Sequence, residues 1–100
     1  MIVDADRGVI EIAEAPSFDD VTDQGALSYG DALLREFNDG ELNENIAAVT
    51  TGIGASNARF GIINSLFYDR RRKRMRSKQA GRGGTGTVMS FKGLKAVIVR

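Results

Sequence analysis

The 100 residues contain no cysteine, no histidine and no tryptophan, and a single proline, Pro16. Without cysteine the chain has no disulfide, no thiolate metal site and no iron–sulfur ligand of its own. Without histidine it lacks the commonest general base and the commonest metal ligand. No serine sits in a nucleophile-elbow pattern, so no nucleophile–base pair can be built. No apolar run approaches the roughly 20 residues that a membrane helix needs. The acidic stretch after Met1 is unlike a signal peptide, so the expected location is the cytoplasm, with no membrane partner. The acids show no metal-loop spacing, and Asp19, Asp20 and Asp23 read as loop solubilisers.

What is present is a sharp division of charge. The net charge of +1 conceals twelve of the thirteen acids in residues 1–58 and twelve of the fourteen bases in residues 59–100. Such asymmetry points to an anionic ligand, a nucleic acid or an internal partner for the basic half.

Hydrophobic content of 42% suits one small globular domain. β-type runs on either side of Asp6-Arg7-Gly8 predict a hairpin. Pro16 to Gln24 reads as a polar loop. Ser28 is a candidate N-cap, with Asp31 three residues on and an apolar helical stripe of Ala32, Leu33, Leu34 and Phe37 after it. Asn38-Asp39-Gly40 stops that helix. Residues 46–50 predict a strand and 51–57 a glycine-bearing turn. Residues 59–68 are strand-like, 69–78 are a charged stretch, and 79–86 form a glycine loop. A short helix over 87–91 and a strand over 94–99 close the chain. The expected fold class is α+β: a small, mostly-β domain with five or six short strands and two helices, part of a larger two-sheet domain.

Ala80-Gly81-Arg82-Gly83-Gly84-Thr85-Gly86-Thr87-Val88-Met89 is the most informative stretch. Its glycines allow positive φ and close approach of the backbone to a ligand, with successive N–H groups on one concave side. A helix starting near Thr85 would add its N-terminal donors, and Arg82 could make a bidentate phosphate contact. Phosphate is the natural ligand class. The stretch is neither a P-loop, since Thr87-Val88 follows Gly86, nor a dinucleotide fingerprint, since the glycine spacing differs. A plain surface turn is the competing reading.

Just before it, Arg70-Arg71-Arg72-Lys73-Arg74-Met75-Arg76-Ser77-Lys78 places seven bases in nine residues. That run would bind polyanions, and Phe67 and Tyr68 beside it could stack on bases. The alternative function is therefore a small basic nucleic-acid-binding module. The plainer alternative is a solvated face that neutralises the acidic half. Residues 51–57 could also contact a ligand through backbone and hydroxyl groups, although a turn between strands explains them as well.

The order of these pieces carries a resemblance. A strand and glycine segment over 46–57 is followed by an apolar segment ending in Asn64-Ser65-Leu66-Phe67-Tyr68-Asp69. Lys78-Gln79-Ala80-Gly81-Arg82-Gly83-Gly84-Thr85-Gly86-Thr87-Val88-Met89 comes next, then Phe91-Lys92-Gly93-Leu94-Lys95-Ala96-Val97-Ile98-Val99-Arg100. This resembles the second half of the N-terminal domain of the tungsten-dependent aldehyde:ferredoxin oxidoreductases, with its alanine–glycine–arginine–glycine–glycine core and closing strand.

The resemblance implies a domain on which a tungsten (or molybdenum) bis-pyranopterin rests, its two pterins linked through their phosphates by magnesium. It implies cofactor contacts from Lys78, Gln79, Ala80, Gly81, Arg82, Gly83 and Gly84. The backbone carbonyl of Gln79 is the candidate magnesium ligand, with Ala80 as the neighbouring possibility. The family's iron–sulfur cysteines and downstream pterin motifs are absent. The expectation is therefore a partial domain over 1–100, inactive alone, whose partners are the remaining domains or subunits and, indirectly, ferredoxin. Exposed strand edges would favour self-association, and nucleic acid is not expected as a partner.

Overall fold

The structure is a computed structural model that describes residues 1–17 and 25–100. The aspartates at 19, 20 and 23 and most of the predicted loop over 16–24 lie outside the described residues.

The apolar stripe forms a helix, α1 (Ala26–Glu36), but it starts earlier than Ser28. Gly25 is the N-cap, in extended backbone and without a side-chain cap bond. Ala26 and Leu27 are good helix formers that carry the helix back past Ser28. Asp31 does not act as a capping partner; it pairs with Arg35 one turn on, Oδ2 to Nε at 3.0 Å.

Six strands form one mixed sheet: β1 (Ile2–Asp4), β2 (Val9–Glu11), β3 (Ala47–Thr50), β4 (Ile63–Asp69), β5 (Arg74–Ala80) and β6 (Ala96–Val99), in the order β2-β1-β6-β3-β4-β5. Among the described residues only β1 and β6 run parallel. The predicted hairpin at the N-terminus is β1–β2, with Ile2 opposite Glu11. A second helix, α2 (Thr85–Phe91), and a 3-10 turn (Ile53–Ser56) lie outside the sheet. The α+β class with six short strands and two helices is as expected.

Alternation along the strands decides the core. Ile2, Ala48, Leu66, Ala96 and Ile98 lie on one face of the sheet and are buried together with Tyr29, Leu33 and Leu34 of α1. Full burial of each such side chain contributes about 1.5–3 kcal/mol. Gly30 lets α1 approach β4 closely, since a Cβ there would lie 2.5 Å from Leu66 Cδ1. The other face presents Ile10, Phe67 and Val99, all exposed.

The charged stretch 69–78 is largely strand and turn, most of it exposed. It is a hairpin in which β4 and β5 pair over seven registers, from Ile63 opposite Ala80 to Asp69 opposite Arg74. Its period of two puts Met75 and Ser77 on the α1 side and Arg74, Arg76 and Lys78 on the other. The density of charge hides that period in the sequence. Lys73 closes the turn in left-handed backbone, φ +51.

Candidate functional site

The candidate loop is the passage from β5 to α2. Lys78, Gln79 and Ala80 are the last residues of β5 and are exposed; they are strand, where the sequence suggested that the glycine loop began at Gln79. Consecutive strand residues alternate, so Lys78 shares a face with Arg74 and Arg76 while Gln79 lies on the α1 side, opposite Asn64. The chain then turns through Gly81, Arg82, Gly83 and Gly84, of which Arg82 and Gly83 are exposed and Gly84 is buried.

All three glycines of this turn have positive φ: +128 at Gly81, +103 at Gly83 and +76 at Gly84. Their surroundings divide them by role. A Cβ on Gly84 would lie 2.8 Å from the Arg59 carbonyl oxygen, and one on Gly86 would lie 2.2 Å from the Ile62 carbonyl oxygen. A Cβ on Gly81 would meet Thr85 Oγ1 at 2.7 Å. Those three positions are glycine because the loop folds tightly against residues 59–62 and its own first helical turn. Gly83 differs: nothing lies within 4 Å of its Cβ position, so its backbone faces open space.

Residues that the sequence reading passed over hold this turn in place. The Gly86 N–H donates to the Gly61 carbonyl at 2.9 Å. Thr87 Oγ1 accepts from the Gly61 N–H and donates to the Ala58 carbonyl, both at 2.7 Å. The hydroxyls of Ser56 and Ser90 meet at 3.0 Å. α2 does start at Thr85, two residues before the expected position, but it is only seven residues long and its Gly86 donor is already spent on Gly61. A hydroxyl two residues beyond the last glycine was the available signal for Thr87. It becomes informative only when residues 58–61 are known to lie alongside.

The first glycine segment is structural. A Cβ on Gly52 would lie 2.9 Å from the Ala26 backbone nitrogen, so the segment abuts the start of α1. The 3-10 turn that follows seats α2.

The basic run is divided between a turn and an edge strand. Arg70 pairs with Glu44 of the acidic half. Arg72 and Arg76 share Asp69 Oδ2, at 2.9 and 3.4 Å, and Asp69 Oδ1 accepts the backbone N–H groups of Arg71 and Arg72. The Arg72 side chain, then its backbone N–H, holds the Asp69 carboxyl down to a pKa of about 2, against the opposing effect of desolvation. Arg71, Lys73, Arg74 and Lys78 make no ion pair among the described residues. Phe67 and Tyr68 point to opposite faces of the sheet, which does not make a stacking platform for bases.

The concave side expected of the loop is not among the principal grooves. The principal grooves of the described residues take no lining residue from 78–86. Among the described residues no three His, Cys, Asp or Glu side chains are grouped to hold a metal. What the segment offers is backbone carbonyls at the end of β5, an open glycine, and the cations Lys78 and Arg82.

The chain matches the family model of the aldehyde ferredoxin oxidoreductase N-terminal domain over residues 1–100 and belongs to that family. Comparison with curated proteins and with solved structures gave no significant match. Among the described residues no helix is long and apolar enough to cross a membrane.

Proposed function

We propose that this chain supplies the phosphate and magnesium side of a tungsten (or molybdenum) bis-pyranopterin site, in an enzyme that oxidises aldehydes to carboxylates and passes electrons to ferredoxin. The observation that carries the reading is the division among the loop glycines. Gly84 and Gly86 pack inward, Gly81 braces on Thr85, and Gly83 stands open between exposed Arg82 and the fixed start of α2. That is a backbone held rigid on one side and bare on the other, which is what close approach of a phosphate requires.

The donor set fits the group. Magnesium takes oxygen ligands, and the backbone carbonyl of Gln79, with Ala80 beside it, lies at the exposed end of β5. Lys78 and Arg82 supply positive charge for the phosphates. When bound, the cofactor supplies the redox chemistry, and this chain orients and neutralises its phosphate side.

This segment forms only one wall. The rest of the site, the iron–sulfur ligands and a cover for the exposed sheet face would come from other domains or subunits. On this reading residues 1–100 are a partial N-terminal domain and are inactive alone.

The test is tungsten and pterin content in the purified protein that contains this domain. Arg82→Ala removes a charge-assisted phosphate contact worth about 1.5–3 kcal/mol and should lower occupancy. Gly83→Val should lower it further by filling the open approach. Glu36→Gln, on the exposed side of α1, should leave it unchanged. Full occupancy in both loop variants, with normal folding, would make the loop a structural turn.

A further inference from the structure

We infer that the outer edge of β5 is a docking site for an extended acidic polypeptide segment, which adds to the sheet as a seventh strand. β5 pairs with β4 alone, and among the described residues its other edge has no partner. Every second residue of an edge strand directs its N–H and C=O outward, which is a template for another strand.

Two further observations select the occupant. The first is a trench beside this edge. One groove of ≈ 520 Å³, beside Leu27, Ala32, Leu66 and Met75, is mainly apolar, and a second of ≈ 430 Å³ sets Leu42, Tyr68 and Met75 among the charged side chains of Lys73 and Arg74, so the apolar positions of an added strand are those over the first. They share Asp31, Arg35 and Met75, so together they follow β5 on its α1 side. Leu27 is 56% exposed there. An added strand would direct alternate side chains into this trench. The second observation is charge. On the opposite face β5 carries Arg74 and Arg76, of which Arg74 has no ion pair among the described residues; Lys78, next along that face, belongs to the proposed phosphate site. The incoming strand's other side chains would meet these cations and should be acidic.

The same charges exclude the simplest competitor. Two copies joined through antiparallel β5 edges would set Arg74, Arg76 and Lys78 against their own counterparts, and like charges directly opposite destabilise a sheet. Basic edge residues thus block self-pairing while admitting an acidic strand. Affinity would come from main-chain hydrogen bonds and register from the alternate side chains.

The probe is a fluorescently labelled peptide of alternating glutamate and valine, titrated into the full chain at physiological salt. The comparison ligands are a block-scrambled peptide of the same composition, polyglutamate and a single-stranded oligonucleotide. The alternating peptide should bind at least about tenfold more tightly than each of them. It should also slow hydrogen exchange at β5 amides. Arg74→Glu, and separately Leu27→Lys, should each weaken it about tenfold or more in chains whose circular dichroism is unchanged. Three results overturn the inference: equal or tighter binding of scrambled peptide, polyglutamate or oligonucleotide, which marks a bare polyanion surface; no effect of either variant; or no binding with β5 exchange unaltered.

Discussion

Replacing Gly86 by alanine tests whether the glycines of the 81–86 segment are divided as the geometry divides them. The new Cβ would lie 2.2 Å from the Ile62 oxygen, 2.5 Å from the Ile62 carbonyl carbon and 2.8 Å from the Gly61 carbonyl carbon. All three are backbone atoms, so no side chain can swing aside. α2 must move off residues 61–62, which costs about 1–3 kcal/mol as overpacking. The Gly86 N–H to Gly61 hydrogen bond is strained with it, at about 0.5–1.5 kcal/mol. Together these come to about 1.5–4.5 kcal/mol, a large share of the ~5–15 kcal/mol expected for 100 residues. The midpoint of thermal unfolding should fall by about 6–35 °C. Gly83→Ala meets no atom and bears only the strain of its φ, about 1–2 kcal/mol. Urea unfolding followed by circular dichroism measures both. If Gly83→Ala costs as much as Gly86→Ala, the assignment of inward and outward glycines is wrong.

Leu66→Ala, in the middle of the core opposite Ala48 and beneath Gly30, should cost about 2–5 kcal/mol in the same assay. Tyr29→Phe removes a hydroxyl that donates to the Pro16 carbonyl at 2.8 Å, and should cost about 0.5–1.5 kcal/mol. Burial raises the pKa of Tyr29, so its contribution is complete below the unfolded value near 10 and is lost as pH rises through the folded value; the stability difference between wild type and Tyr29→Phe should be constant below that range and shrink within it. Asp69 has the opposite sign. With its pKa lowered to about 2, the β4–β5 turn keeps this anchor above the ordinary carboxylate value and loses it as pH falls through about 2. An NMR titration placing the Asp69 midpoint at or above 3.8 would contradict the bridging geometry.

The fold was legible where patterns were clean. The N-terminal hairpin, the stripe of α1 and the closing strand follow from apolar spacing and turn glycines, because one face of each must be buried. β5 was not legible as a strand. Arg74, Arg76 and Lys78 lie on its uncovered face and Met75 and Ser77 on the other, so the period of two is carried by residues of low β-propensity. The start of α1 was misplaced for a local reason: Ser28 is a good cap by composition, yet extended backbone at Gly25 begins the helix sooner.

At the site, residues 78–80 end β5 and 81–84 make the turn, where the glycine loop was expected to begin at Gln79. The sequence could not distinguish Gly83, which faces open space, from the glycines that face Arg59 and Ile62. That difference depends on residues 58–62, some twenty positions away, and on the bonds Thr87 makes to them.

The most direct test of the central claim is a crystal structure of the cofactor-loaded protein that contains this domain. The account predicts a pterin phosphate within hydrogen-bonding reach, ~3 Å, of the Arg82 guanidinium and the backbone at Gly83, with magnesium held by the carbonyl of Gln79 or Ala80. Pterin phosphates bound elsewhere, with Gly83 covered only by protein or solvent, would contradict it.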